Sequence, residues 1–233
     1  MKKSYIILLA MLAVIMDTLL HEGTHAVVAM ALGTTIKKFT FFFVDFVDIE
    51  WTRPILYPCL IDGSAAIANL VCMAICMILF HYVEKNTYLS LFLFYLASFS
   101  LFSGFGYLFF DPLVMDLIPV GDWSQIIIRL GSSWILRITI CLIGALGILY
   151  GYFWVGKQAH HFLLPGLTIK QTGFFLCVGS YLIINTIMTC AIFMYPLEPS
   201  MRVTGLCKHW FGMSGFCWAY FIQYFCRNIE VSN

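Results

Sequence analysis

The chain is short of charge. Lys and Arg number 13 and Asp and Glu 12 among 233 residues, so charged side chains make up only 11% of it. A soluble domain carries roughly 25%, and half that supply cannot cover a water-facing surface. The shortage excludes a soluble globular domain and a disordered chain. A net charge of +1 leaves no basic patch for nucleic acid and no imbalance that calls for a charged partner. The sequence also lacks a CxxC pair. Its nine cysteines are scattered and mostly lie in apolar runs, where thiols behave as small hydrophobes. Internal repeats and low-complexity stretches are absent, as is any polar region long enough for a separate soluble domain.

What the sequence does have is apolar length. Hydrophobic residues make up 61% and the mean hydropathy is +0.91. A helix needs about 20 apolar residues to cross roughly 30 Å of hydrocarbon. The expected fold is an all-α polytopic membrane protein, one membrane-embedded domain over residues 1–233 with about six transmembrane helices. It is expected to be an integral, multi-pass protein of the cell membrane, with the lipid bilayer as its surroundings. The spans fall at 4–32, 59–83, 88–110, 134–155 and 171–195, with a last apolar stretch at 209–225. The first run is too long for the 7–15-residue apolar core of a signal peptide and reads as a retained helix, ending at Gly33. Gly147 and Gly151 have the spacing of a helix-packing face, here read as internal packing rather than dimerisation.

Residues 34–58 have a different texture. They are rich in Thr, Phe, Val and Ile and carry Lys37, Lys38, Asp45, Asp48, Glu50 and Arg53. That mixture favours strands or a hairpin. A lipid-exposed sheet edge is not tolerated at membrane depth, so this small β-rich segment belongs at the interface or against the helices. Residues 122–130 read as a short helix that Asp122 can cap.

One motif carries chemistry. His21-Glu22-Gly23-Thr24-His25 is H-E-x-x-H inside the first apolar helix. Positions i and i+4 lie one above the other on a helix face, so two imidazoles can bind one Zn²⁺ while the intervening glutamate takes a proton from the attacking water. A random shuffle of this composition would give the pattern only ~0.3% of the time. Ionisable groups within an apolar span are functional candidates by default. Asp17, one turn earlier on the same face, reads equally well as a carboxylate that orients an imidazole or as a helix-packing hydrogen bond. A hydrolytic zinc site needs a third protein ligand and an open fourth position. Carboxylates and imidazoles from Asp45 to His209 are candidates, and spacing does not choose among them. Asp122 stands out because it opens a short helix between two spans.

The stretch HEGTHAVVAMALGTTIKKFTFFF resembles the signature of the site-2 protease family, the intramembrane zinc metalloproteases. Gly63-Ser-Ala-Ala-Ile-Ala-Asn69-Leu resembles the family's G-P-x-x-N segment. Met115-Asp-Leu-Ile-Pro119-Val-Gly-Asp122-Trp resembles its N-x-x-P…D-G segment. The likeness covers roughly residues 5–130; residues 131–233 are generic further membrane helices. The resemblance implies His21, His25 and Asp122 as ligands of one Zn²⁺, Glu22 as catalytic base, and Asn69 as a group that contacts substrate or stabilises the reacting carbonyl. It implies cleavage of membrane-protein substrates in or near a transmembrane segment. The chain departs from the family at three points: the G-P proline is missing, Asp116 replaces the N-x-x-P asparagine, and Trp123 follows the ligand aspartate. Asp116 competes with Asp122 for the ligand role. Two other readings stand beside the protease: a non-catalytic membrane protein that keeps the fold, and a metal transporter. The second lacks the internal symmetry that transporters often show.

Overall fold

The computed structural model describes residues 3–41, 43–46, 54–85, 87–117, 121–162 and 166–194. Among them the chain is predominantly helical. Helix α1 (Lys3–Ala31) is followed by strands β1 (Ile36–Phe39) and β2 (Val44–Phe46) and then helices α2 (Leu56–Tyr82), α3 (Tyr88–Val114), α4 (Asp122–Arg129) and α5 (Trp134–Ala159). Helix α6 (Ile169–Phe174) passes through a π turn at Phe175–Gly179 into α7 (Ser180–Met194). Helices α1, α2, α3 and α5 are each long and apolar enough to cross a membrane. The expected span at 171–195 is instead the shorter, interrupted α6–α7 run, and the stretch 209–225 lies outside the described residues.

Local chemistry sets the element ends. Gly33 has φ 77°, a left-handed conformation that glycine adopts without steric penalty. Its N–H donates to the Met30 carbonyl and that of Thr34 to the Ala29 carbonyl, both at 2.9 Å. This paired closure ends α1. The chain then turns back on itself: β1 and β2 pair antiparallel, with Phe39 opposite Val44 and a bulge between Ile36 and Lys38. Thr40 closes the turn, its hydroxyl accepting from the Phe43 N–H at 3.0 Å. The remainder of the β-rich segment, with Asp48, Glu50 and Arg53, lies outside the described residues. Thr87 and Ser90 form a reciprocal cap at the start of α3.

Helix α3 is the centre of the bundle. Most of its length is buried, while α1, α2 and α5 turn the larger part of their surfaces outward. Outward-facing side chains of α5 include Trp134, Ile138, Leu142, Leu146 and Phe153. Its inner face is built from glycine. A β-carbon at Gly144 would lie 2.5 Å from the Phe109 backbone nitrogen, and one at Gly147 would lie 2.1 Å from the Phe105 ring. The glycine spacing therefore serves packing of α5 on α3. Replacing Gly144 with alanine is expected to lower the thermal unfolding midpoint in detergent. Overpacking costs about 1–3 kcal/mol and outweighs the ~1 kcal/mol gain in helix propensity. An unchanged or raised midpoint would show that α3 and α5 do not approach this closely.

Candidate metal centre

His21 and His25 sit one turn apart on α1 and are 5% and 7% exposed. Their rings meet edge to face, with centroids 5.0 Å apart. Helix α4 brings Asp122 to both: its Oδ2 lies 3.3 Å from His21 Nε2 and 3.4 Å from His25 Nε2. Residues far apart in sequence thus meet at one point, and among the described residues this is the one cluster of three potential metal ligands.

The hydrogen-bond partners on the other side of each ring decide what faces that point. His25 Nδ1 bonds the Ile61 backbone carbonyl at 2.8 Å. A carbonyl only accepts, so Nδ1 carries the hydrogen and Nε2 is left with a lone pair. His21 Nδ1 bonds Asn69 Oδ1 at 3.0 Å, with the same result. With both rings neutral, two nitrogen lone pairs and a carboxylate oxygen converge, an arrangement that a single cation would satisfy. In a tetrahedral site the ligand–ligand edge is about 1.63 bond lengths, so zinc bonds of about 2.0–2.1 Å put ligand atoms roughly 3.3–3.4 Å apart. The two separations from Asp122 equal that edge, all three ligand atoms lie within 4.8 Å of one another, and two imidazoles with one carboxylate are a donor set that suits zinc.

Helix α4 is held in place from three sides. Its N-cap is Gly121, so Asp122 is the first helical residue and not the cap the sequence suggested. The capping carboxylate comes from elsewhere. Asp111, 3% exposed at the end of α3, accepts from the Trp123 N–H at 3.2 Å, where an anion meets the positive end of the helix. Ser124 Oγ donates to the Asp111 carbonyl at 2.9 Å. Only glycine fits at 121, since a β-carbon there would lie 2.3 Å from the Asp111 carboxyl carbon. Arg129 pairs with Asp62 of α2, and Ile126 packs against Gly63. Trp123 lies with Leu108, Ile127 and Ile140 in a separate apolar cluster.

Among the described residues no other candidate joins the three-ligand cluster. Asp116 is exposed and pairs with Arg137 at 2.8 Å, so Asp122 and not Asp116 meets the histidines. Asp45 is exposed on β2, and Glu84 and His160 are exposed near helix ends. Asp48, Glu50, Glu198 and His209 lie outside the described residues. Glu22 follows His21 on α1, is 9% exposed and interacts electrostatically with His25. Asn69, expected to contact substrate or stabilise the reacting carbonyl, bonds His21 Nδ1 through its amide oxygen. It is completely buried, on the side of the His21 ring away from Asp122, because its place on α2 faces α1.

Tyr107 escaped the sequence reading. Its ring lies flat on His21, with centroids 4.3 Å apart and 12° between planes. Ser100, Ser103, Tyr107 and Asp111 share one face of α3 at i, i+3, i+7 and i+11. That polar stripe through an apolar helix is the signal that would have revealed it. No family model, no curated protein and no solved structure matches the chain.

Proposed function

We propose that the chain is an intramembrane zinc metalloendopeptidase of the site-2 protease kind, cleaving other membrane proteins in or near their transmembrane segments. The observation that carries this reading is the convergence of Asp122 Oδ2, at 3.3 and 3.4 Å, on His21 Nε2 and His25 Nε2, the two histidines and Glu22 lying in a helix long and apolar enough to cross a membrane. The apolar outer faces of α1, α2 and α5 suit a multi-pass position in the cell membrane.

Bound zinc would draw the pKa of an attacking water down toward about 7 and polarise the scissile carbonyl. The residues divide the remaining work. His21, His25 and Asp122 hold the ion. Glu22, next to one ligand and in the field of the other, takes the proton of the attacking water and returns it to the leaving amine. Tyr107 holds the His21 ring from its open face. A helical substrate hides its peptide bonds and must unwind locally. The β1–β2 hairpin, directly after α1, offers a sheet edge on which an extended segment can lie.

Metal analysis tests the reading first. The purified protein is expected to hold about one zinc per chain, and chelation is expected to remove the ion and hydrolysis together. A content below about one zinc in ten chains, with zinc supplied during purification, would overturn it.

A further inference from the structure

Asp17, which the sequence leaves open between orienting an imidazole and a helix-packing hydrogen bond, is a buried carboxylate outside the three-ligand cluster. It is 3% exposed and lies one turn before His21 without touching it. Three donors from two other helices converge on it. Asn69 Nδ2 of α2 donates to Oδ1 at 2.7 Å, Ser100 Oγ of α3 to Oδ1 at 2.7 Å, and Ser103 Oγ to Oδ2 at 2.6 Å. The far end of the Asn69 amide is the group that meets His21.

The two histidines differ in what fixes them. The partner of His25 is a backbone carbonyl, which cannot reverse. The partner of His21 is a primary amide, which can. With the amide reversed, its NH₂ end faces His21 and requires a lone pair on Nδ1. The ring hydrogen then sits on Nε2, aimed at Asp122 and in the way of any metal. Asp17 Oδ1 accepts from Asn69 Nδ2, so Asp17 turns the NH₂ end of Asn69 toward itself and the oxygen toward His21. The carboxylate sets the amide, the amide sets the tautomer, and the tautomer leaves Nε2 free.

We propose that Asp17 is a positioning residue that holds Asn69 in the one orientation that frees His21 Nε2 for a metal, with Ser100 and Ser103 holding Asp17 in turn. This rests on the metal reading of His21, His25 and Asp122. It extends the familiar carboxylate–histidine–metal arrangement by one amide.

The test uses the full chain in detergent, stripped of metal and titrated with Zn²⁺ against a chromophoric chelator. Co²⁺ absorption serves as a second readout and the unfolding midpoint of the metal-free protein as a third. Asp17→Asn keeps the size of the side chain but offers both a donor and an acceptor, so either orientation of Asn69 is satisfied. Its zinc Kd is expected to rise about ten- to hundred-fold, the loss typical of removing an outer-shell partner, with the metal-free midpoint within a few degrees of wild type. Ser100→Ala with Ser103→Ala should weaken binding in the same direction by less. The double variant Asp17→Asn with Asn69→Asp exchanges the two groups: Asp at 69 accepts directly from His21 Nδ1 while Asn at 17 donates to it. That exchange is expected to restore zinc affinity and the Co²⁺ spectrum, which a merely structural role for Asp17 would not do. Wild-type zinc affinity in Asp17→Asn overturns the proposal. If Asp17→Asn does not fold, an exchange variant that folds yet binds zinc no better than Asn69→Ala also overturns it. A wild-type chain that binds no zinc refutes the metal reading itself, a result separate from either of these.

Discussion

Replacing Glu22 with glutamine is expected to lower the cleavage rate of a co-expressed single-span reporter by about 10²–10⁴-fold, or about 3–5.5 kcal/mol of barrier, while zinc content stays at the wild-type level. Glutamine keeps the shape of glutamate but cannot accept a proton at neutral pH. Glu22 is not among the three convergent ligands, so the metal cluster survives the change. The pairing of lost turnover with retained zinc is what identifies a base rather than a ligand. Undiminished cleavage would exclude the mechanism. A substitution without phenotype in a protein that also lacks zinc would instead favour the non-catalytic reading.

The second large effect falls on Asp122. Asp122→Asn is expected to weaken zinc binding by well over the ten- to hundred-fold that loss of an outer-shell partner produces, because it removes a ligand outright. The metal-free protein should change little. In the wild type the Asp122 oxygen faces two imidazole nitrogens at 3.3 and 3.4 Å. Asparagine keeps the size of the side chain and can turn its amide toward them and donate, so the metal-free unfolding midpoint is expected to stay within a few degrees of wild type. Loss of zinc without loss of stability separates a ligand from a structural residue. Asp116→Asn is the matched control: it disturbs only the exposed pair with Arg137 and should leave zinc affinity unchanged. Zinc loss in Asp116→Asn but not in Asp122→Asn would exchange the two roles and sink the ligand set.

The legible parts of this protein are those in which the sequence states its own periodicity. His21 and His25 lie on one face because four residues separate them, and Gly33 ends α1 because only a left-handed residue closes that turn. The hairpin followed from β-branched residues and charges that no membrane helix would carry. The long apolar runs gave α1, α2, α3 and α5 to within a few residues. Other features depend on which helix lies beside which, and local pattern does not contain that. Asn69 reads as a group near substrate, and only the packing of α2 against α1 brings its amide to His21. Asp122 looks like a cap until Asp111, eleven positions earlier, is seen to occupy that role from the end of α3. The polar face from Ser100 to Asp111 was readable at helical spacing, but its residues sit in so apolar a span that hydropathy alone conceals it. The interruption at Phe175–Gly179 has no comparable mark: no proline stands there to announce it.

The tethers of the two histidines also bear on motion. Ile61 and Asn69 both belong to α2, and they hold His25 and His21 respectively. Helices α1 and α2 are therefore pinned at two heights, in antiparallel sense, and neither can slide along the other without releasing a ring. Asp122 comes from a different element. It rides on an eight-residue helix fixed by Asp111, by the pair of Arg129 with Asp62, and by the contact of Ile126 with Gly63. The cluster thus draws on three helices, and a cation held by all three ligands would tie α4 to the α1–α2 pair by a bond that no side-chain packing supplies.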